Sequence, residues 1–262
     1  MTTNQLDRTA GRVIFGTDAA GYHAGRIGYP DELYDAVLAR TRPSPRILEI
    51  GAGTGLATEA LLARDPTALT IVEPAPELVD YIRGRLVDPR LSFVTAGFLD
   101  VQVEGPFELI VCAAAFHWME PKAALARIKS LLVSGGVWAM WWNSYRNHGI
   151  GDALADAITP LLKGIALPPS DSLIGHYSLD VTLHTRTLAD AGFKDIQHVL
   201  FRHERTLSAS QVRALYESYS YIRALPEPQR SELLDKIVAL VETQFAGLAP
   251  NVTLTSCYSA RV

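Results

Sequence analysis

The stretch Ile47-Leu-Glu-Ile-Gly-Ala-Gly-Thr-Gly55 decides the fold of this 262-residue chain. Its apolar half predicts a short buried strand, Arg46 to Ile50, and its three alternating glycines predict a sharp turn into a helix. Glycine lets the backbone turn sharply and lets a ligand touch the main chain at the positive end of that helix. In an α/β sheet, ligands sit beyond the carboxyl ends of the strands. The stretch therefore predicts a ligand site directly after the first strand.

Two acidic residues accompany the glycine turn, which we define as Gly51–Gly55. The glycines have the spacing G-x-G-x-G, so Leu56 stands where a dinucleotide fingerprint has its third glycine. Glu49 repels a pyrophosphate but suits a ligand with an ammonium or sulfonium group. Glu73 ends the second predicted strand, 22 residues after Gly51, which is the separation at which a carboxylate reaches the hydroxyls of an adenosine ribose. The alternative is a solvated acid at a strand end, and the combination favours the ligand.

Helix-like and strand-like segments alternate between about residues 30 and 142. The predicted helices are Asp31–Arg40, Leu56–Arg64, Pro76–Leu86 and Pro121–Leu132. The predicted strands are Arg46–Ile50, Leu69–Val72, Leu91–Thr95, Leu109–Cys112 and Val137–Trp142. Strands separated by helical segments of about ten residues indicate βαβ units and a parallel sheet.

After Asn143 the alternation ends. The later segments predicted are a helix near Gly151–Leu162, a short helix at Thr187–Ala191, a strand at Asp195–Thr206, a helix opened by the capping box of Ser208 and Gln211, a helix at about Glu227–Phe245 and an edge strand at Asn251–Val262. The last two helices lie between two strands. We therefore expect them to form a cap over the α/β sheet.

Composition excludes several classes of protein. The chain is 48 % hydrophobic with a formal net charge of −4, which gives no general attraction to nucleic acid or anionic lipid. The longest apolar run, Leu109 to Phe116, is too short to span a bilayer. The start, Met1 to Arg12, is polar, and neither cysteine, Cys112 or Cys257, has metal-ligand spacing. We expect a cytoplasmic protein with no nucleic-acid partner, no membrane partner and no metal.

Several stretches carry a family resemblance that spans nearly the whole chain. They are Tyr22–Pro30, Glu49–Gly55, Ile71–Pro74, Phe107–Trp118, Leu132–Val137, Tyr219–Pro226 and the final strand. Together they resemble the class I S-adenosylmethionine-dependent methyltransferases, most closely the small-molecule group that includes trans-aconitate-methyltransferase-like proteins. The resemblance implies an α/β fold: a Rossmann-like, seven-stranded, mostly parallel sheet with an antiparallel last strand, plus a helical cap.

The domain organisation follows from the same resemblance. We expect a cofactor-binding α/β core with its N-terminal lead-in at residues 1–143 and a cap insertion at 144–182. A core helix and strand at 183–207, a helical cap at 208–247 and the final core strand at 248–262 complete the chain.

The resemblance implies S-adenosyl-L-methionine as the cofactor. The glycine turn would hold its methionine part, Glu73 its ribose, and Arg26 its carboxylate, unless Arg26 is a plain surface arginine. The family's acidic residue after the third strand is missing near Gly97, so we expect backbone contacts and stacking on Phe98 to hold the adenine. The expected cofactor-binding residues are Tyr22, Arg26, Glu49, Gly51, Ala52, Gly53, Thr54, Gly55, Glu73, Pro74, Gly97, Phe98, Ala113 and Ala114.

Methyl transfer mainly requires alignment of the reactants and exclusion of water. A base helps when the acceptor is a hydroxyl or an ammonium group. His117, directly after the fourth strand, is a candidate for that base or for a substrate contact; the alternative is a polar residue satisfied by neighbouring backbone. Tyr22 is the second catalytic candidate. The expected substrate-binding residues are His117, Trp118, Trp142, Asn143 and Tyr219.

The sequence thus predicts an enzyme that transfers a methyl group to O, N or C of a small, partly apolar or aromatic metabolite. One alternative is an NAD-dependent oxidoreductase, which the glycine spacing and Glu49 oppose. The other is a non-catalytic S-adenosylmethionine-binding protein of the same fold. Metal-assisted methylation is disfavoured because the histidines show no metal-ligand pattern.

Overall fold

A computed structural model describes residues 19–145, 151–165, 171–172 and 175–262 of the chain. The polar start, residues 1–12, and part of the predicted cap insertion, residues 144–182, lie outside the described residues. Within these ranges, no helix is both long enough and apolar enough to cross a bilayer.

Seven strands form one sheet. In chain order they are β1 (Arg46–Ile50), β2 (Ala68–Val72), β3 (Leu91–Val94), β4 (Phe107–Ala113), β5 (Leu132–Ser144), β6 (Lys194–Ser208) and β7 (Leu248–Arg261). Their order across the sheet is β3-β2-β1-β4-β5-β7-β6. The first five pair in parallel and the last strands are antiparallel, so the predicted sheet is confirmed. Two two-residue strands, Asp171–Ser172 and Gly175–His176, pair separately.

Ten α-helices lie within the described ranges. They are α1 (Ala19–Gly25), α2 (Asp31–Leu38), α3 (Leu56–Leu62), α4 (Pro76–Arg85), α5 (Pro121–Leu131), α6 (Ala153–Ile158), α7 (Val181–Asp190), α8 (Ala209–Glu217), α9 (Ser220–Arg223) and α10 (Glu227–Phe245). Short 3₁₀ turns occupy Phe116–Trp118, Thr159–Leu162 and Tyr177–Leu179. The predicted capping box is present: Ser208 Oγ accepts from the Gln211 N–H, and the Ser208 N–H donates to Gln211 Oε1.

The prediction that the final strand lies at the sheet edge is wrong. Strand β7 lies between β5 and β6, and β6 is the edge strand. The hydroxyl residues of β7 suggest an exposed edge, but they are buried, and two of them are hydrogen-bonded to neighbouring strands. Thr255 Oγ1 donates to Asn143 Oδ1 at 2.6 Å, and Ser256 Oγ lies 2.9 Å from His198 Nε2. Small hydroxyls of this kind satisfy themselves inside a sheet, so their polarity does not mark an edge.

One helix is longer than predicted. The segment predicted as a helix at Thr187–Ala191 is the end of α7, which begins six residues earlier at Val181. The side chain of Asp180 accepts a hydrogen bond from the Leu183 N–H at 2.9 Å and so caps the first turn.

The chain divides into two compact units. The first comprises the described parts of residues 1–27, 144–179 and 202–254, and helices α8, α9 and α10 build its core around Val212, Ile222 and Ile237. The second comprises residues 28–143, 180–201 and 255–262, with a core that includes Ile47 and Leu109. The lead-in up to residue 27 therefore belongs to the first unit, together with the helices predicted as a cap. The assignment of a core and a cap role to these segments stays a prediction.

Gly25 permits a close approach of α1 to α8 in the first unit. A Cβ atom added there would lie 2.3 Å from the carbonyl oxygen of Ala214. Gly25→Ala is therefore expected to lower the free energy of unfolding by about 1–3 kcal/mol in urea denaturation, because one of the two helices must shift. Gly84→Ala in α4 is the matched control, since a Cβ added at Gly84 meets no atom within 4 Å. Equal destabilisation by both substitutions would contradict this account of the packing.

Candidate active site

The glycine turn follows β1 and leads into α3. Gly51, Gly53 and Gly55 all have positive φ angles, of 69°, 59° and 84°. Residues with a Cβ atom rarely adopt a positive φ angle, which explains why glycine occupies all three positions. The Gly51 N–H donates to the Val72 carbonyl at 2.8 Å and the Gly55 N–H to the Ala52 carbonyl at 2.9 Å. A Cβ added at Gly53 would meet no atom within 4 Å, so the main chain there is open to a ligand.

Glu73 lies directly after β2 and faces the glycine turn. Its Oε2 accepts a hydrogen bond from the Gly53 N–H at 2.9 Å, and its Oε1 accepts one from the Ala75 N–H at 3.1 Å. Glu73, followed by Pro74, is only 5 % exposed. The two backbone donors hold the carboxylate beside the turn, and a carboxylate oxygen can accept more than one hydrogen bond. The structure therefore brings together Gly53 and Glu73.

Glu49 is a buried carboxyl group at the end of β1 with one satisfied oxygen. Its Oε2 accepts a hydrogen bond from Thr58 Oγ1 at 2.7 Å. Its Oε1 is buried with no hydrogen-bond partner in the described part of the chain. Burial raises the pKa of Glu49 to about 7, the Thr58 hydrogen bond opposes the rise, and the charge of Glu73 adds to it. A buried acceptor without a donor is costly, which makes Oε1 a candidate contact for a cationic ligand.

The turn after β3 contains a carboxylate that the sequence analysis missed. The Asp100 N–H donates to the Gly97 carbonyl at 3.0 Å. A Cβ added at Gly97 would lie 2.5 Å from Asp100 Oδ2, so the carboxylate folds back beside this glycine. Phe98, 4 % exposed, has the Arg127 guanidinium carbon 5.1 Å from its ring centroid. Glycine and aspartate are both common in turns, which is the only local signal for this one.

The end of β4 places the predicted residues Ala113, Ala114, His117 and Trp118 in a short segment. Ala114 is exposed, has a φ of 54° and donates its N–H to the Trp141 carbonyl at 2.8 Å. His117 and Trp118 lie in the 3₁₀ turn, half-buried, with ring centroids 4.7 Å apart. Among the described residues, no three His, Cys, Asp or Glu side chains form a group that could hold a metal ion.

Trp142 is a buried partner of His117. Its indole N–H donates to His117 Nδ1 at 3.2 Å. Its ring stacks on the ring of His184, with centroids 5.3 Å apart and an interplanar angle of 26°, and meets Tyr258 edge-on at 6.5 Å. Trp142 is 2 % exposed, so the indole forms part of the protein interior behind His117.

Asn143 has both amide atoms bonded to protein. Its Nδ2 donates to the Gly28 carbonyl at 3.4 Å, and its Oδ1 accepts from Thr255 Oγ1 at 2.6 Å. These bonds connect the end of β5 to the residues before α2 and to β7. Asn143 therefore stabilises the end of β5 through these two hydrogen bonds.

In the first unit, tyrosine rings surround Arg26. Its guanidinium carbon lies 4.9 Å from the ring centroid of Tyr22, 5.2 Å from that of Tyr219 and 5.7 Å from that of Tyr145. Its Nη2 donates to the Ser218 carbonyl at 3.2 Å, while Nε is buried without a partner in the described part of the chain. The hydroxyl of Tyr219 is likewise buried and unpartnered among the described residues. A half-buried cation with spare donors is suited to a carboxylate ligand.

Comparisons with known proteins find methyltransferases among the relatives of this chain. The family model described as "Methyltransferase domain" matches residues 47–136. An uncharacterized methyltransferase-like protein of Schizosaccharomyces pombe is 25 % identical over 236 residues, which are 87 % of this chain and 86 % of the relative. An uncharacterized methyltransferase of Mycobacterium tuberculosis is 25 % identical over 265 residues, 97 % of each chain.

Solved structures share the fold at lower identity. A proposed type II methyltransferase of Anaeromyxobacter dehalogenans superposes with a TM-score of 0.67 and 18 % identity, covering 90 % of this chain and 97 % of that one. An S-adenosylmethionine-dependent methyltransferase of Thiobacillus denitrificans, solved with S-adenosylhomocysteine, has a TM-score of 0.55 and 16 % identity, covering 98 % of both chains.

The sheet order defines an α/β protein, and the glycine turn and the acidic residue after β2 lie together at the ends of its parallel strands, where ligands of such sheets bind. Residues 47–136 match the methyltransferase-domain model, and over most of its length the chain is similar to proteins described as methyltransferases. The cofactor that this likeness implies is S-adenosylmethionine, as predicted. The narrower resemblance to trans-aconitate-methyltransferase-like proteins stays a prediction.

The buried carboxyl of Glu49 makes the stability of the protein without cofactor depend on pH. Its folded-state pKa of about 7 lies above the ordinary value of 4.5, so the folded state binds the proton more tightly. Glu49 is therefore expected to contribute up to about 3 kcal/mol to the free energy of unfolding below pH 4.5, and this contribution is lost as the pH rises above 7. Urea denaturation across this range measures the effect.

Glu49→Gln should remove this part of the pH dependence, because the amide does not ionise. Glu32→Gln, at an exposed position of α2, is the matched control and should retain it. If Glu49→Gln has the same pH dependence as the unmodified protein, the carboxyl is not buried as described.

Proposed function

We propose that this methyltransferase acts on a small, partly apolar or aromatic metabolite and transfers the methyl group of S-adenosylmethionine to an O, N or C atom. The observation that carries the proposal is the carboxylate of Glu73 held against the Gly53 N–H. That hydrogen bond holds a carboxylate acceptor beside the open main chain of the glycine turn. A formal net charge of −4 supports a small-molecule acceptor rather than nucleic acid, and a cytoplasmic location is part of the proposal.

The cofactor would lie across the end of β1 and β2. The ribose hydroxyls would donate to Glu73, and the methionine part would lie over the open main chain at Gly53. The unpartnered Oε1 of Glu49 would accept from the cofactor's ammonium group, directly or through water. A cation there relieves both the desolvation of Glu49 and its repulsion by Glu73.

Two further groups support cofactor recognition. Asp100 presents an exposed carboxylate beside Gly97, and we assign it the adenine amino group, which extends the predicted contacts at Gly97 and Phe98. Arg26 has spare donors among its tyrosine neighbours, and we assign it a carboxylate, that of the cofactor being the predicted one.

The acceptor would contact His117 and Trp118, and the predicted acceptor contact of Tyr219 stays part of the proposal. His117 and Trp118 are half-buried and adjacent, and Tyr219 carries a buried hydroxyl with no partner among the described residues. The bonds of Trp142 and Asn143 favour a supporting role for both residues over direct contact with the acceptor.

Binding of S-adenosylmethionine is expected to depend on Glu73. Hydrogen bonds between hydroxyls and a carboxylate contribute roughly 1.5–3 kcal/mol each, so Glu73→Ala should weaken binding at least about tenfold. Titration calorimetry with S-adenosylmethionine measures the change. Glu77→Ala, an exposed acid in the first turn of α4, is the control and should bind as the unmodified protein does. Equal affinity of Glu73→Ala and the control would remove the ribose assignment.

Catalysis is tested by incubating the protein and S-adenosylmethionine with a library of small metabolites and measuring S-adenosylhomocysteine. At least one acceptor is expected to support turnover. Gly53→Val should abolish it, because a branched side chain would occupy the open space at Gly53 and is strained at a φ of 59°. Cofactor binding without turnover for any acceptor would favour the non-catalytic alternative, and binding of a nicotinamide cofactor instead would favour the oxidoreductase.

A further inference from the structure

The second unit contains a hydrogen-bonded pair, His117 and Trp142, whose chemistry the proposed function leaves open. We infer that Trp142 is a positioning residue that fixes the neutral His117 ring with its proton on Nε2. His117 then presents a proton donor, and not a base, to the methyl acceptor. The role in the reaction rests on the proposed function, whereas the protonation state is a property of the chain itself.

The first step of the argument is the direction of the hydrogen bond. An indole N–H can only donate, because the nitrogen lone pair belongs to the ring. The atom 3.2 Å from Trp142 Nε1 is His117 Nδ1, so Nδ1 must accept and carries no proton. A neutral imidazole has one N–H, and that proton therefore lies on Nε2.

The second step concerns the orientation of the imidazole ring. Turning the ring over would place a carbon against the indole N–H, and this hydrogen bond would be lost. Trp142 is 2 % exposed, so water does not readily replace the lost acceptor, and an unmade hydrogen bond at a buried donor is costly. The stack on His184 at 5.3 Å holds the indole in place. The observed orientation is therefore the one that the buried indole requires.

The third step is the consequence for methyl transfer. A general base needs an unprotonated nitrogen that can reach the proton to be removed. In His117 the lone pair of Nδ1 is used by Trp142, and Nε2 already carries a proton. Neither nitrogen acts as a base while the bond to Trp142 holds. The ring instead suits an acceptor oxygen that is already anionic and needs no proton removed, as in a carboxylate or an ionised phenol.

The methyl transfer to an anionic oxygen balances in atoms and charge without any proton transfer. A lone pair of the anionic acceptor oxygen forms the new O–C bond to the methyl carbon, and the S–C bond breaks with its electron pair on sulfur. The sulfonium becomes a neutral thioether, the acceptor becomes a neutral ester or ether, and the Nε2 proton stays on His117. The N–H of His117 orients the oxygen before the step.

The protonation state is read by ¹⁵N nuclear magnetic resonance of the histidines in the protein without substrate, at a pH where His117 is neutral. The unmodified protein is expected to show a protonated Nε2 and an unprotonated Nδ1 for His117. Trp142→Phe removes the donor, so this preference should weaken. Trp141→Phe changes a buried tryptophan of the same strand whose N–H has no partner among the described residues, and it should leave His117 unchanged. A proton on Nδ1 in the unmodified protein would overturn the inference even if neither variant folds.

Kinetics separates a donor from a base, using an acceptor that supports turnover. His117→Gln can place an amide N–H near the position of Nε2 but has no basic nitrogen. If His117 is a donor, His117→Gln is expected to keep turnover within about tenfold of the unmodified enzyme and above that of His117→Ala. If both variants lose about 10²–10⁴-fold, as expected for a missing base, the inference is wrong. Absence of turnover in the unmodified protein would instead count against the proposed function and leave the spectroscopic result standing.

Discussion

The hydrogen bond from the Gly53 N–H to the carboxylate of Glu73 is the interaction on which the site depends. It requires β1 and β2 to lie side by side in parallel, and the register that pairs Ile50 with Val72 brings the residues after both strands together. It also requires the positive φ angles of the glycine turn, which bring the Gly53 N–H round to the carboxylate. A strand register shifted by one residue would turn Glu73 to the other face of the sheet.

A second constraint is the negative charge concentrated at this end of the sheet. Glu49 and Glu73 are both buried, and the charge of Glu73 helps to raise the pKa of Glu49. Without a cation, the second unit tolerates this pair by holding a proton on Glu49 near neutral pH and by directing two backbone N–H groups to Glu73. In the proposed function, a sulfonium cofactor with an ammonium group would supply the missing positive charge. The raised pKa of Glu49 without ligand and the proposed binding of a cationic ligand thus have one physical origin.

Periodicity, glycines and capping residues predicted the elements whose bounds depend on neighbouring residues in the sequence. The bounds of β1 and α10 and the capping box at Ser208 follow from periodicity, glycine and capping residues, and the structure confirms them. The position of β7 inside the sheet depends on partners distant in the sequence. The carboxylate of Asp100 beside Gly97 depends on a turn that folds back, and the bond between Trp142 and His117 joins residues 25 apart. Such contacts are set by tertiary packing and leave no periodic signal in the sequence.

The most direct test of the central claim is a crystal structure of the protein with S-adenosylhomocysteine. The account predicts the ribose hydroxyls within hydrogen-bond distance of the Glu73 carboxylate and the amino-acid part of the ligand over the main chain at Gly53. It also predicts that no protein side chain lies within hydrogen-bond distance of Glu49 Oε1. Ligand density away from the glycine turn, or a ribose that does not contact Glu73, would contradict the account.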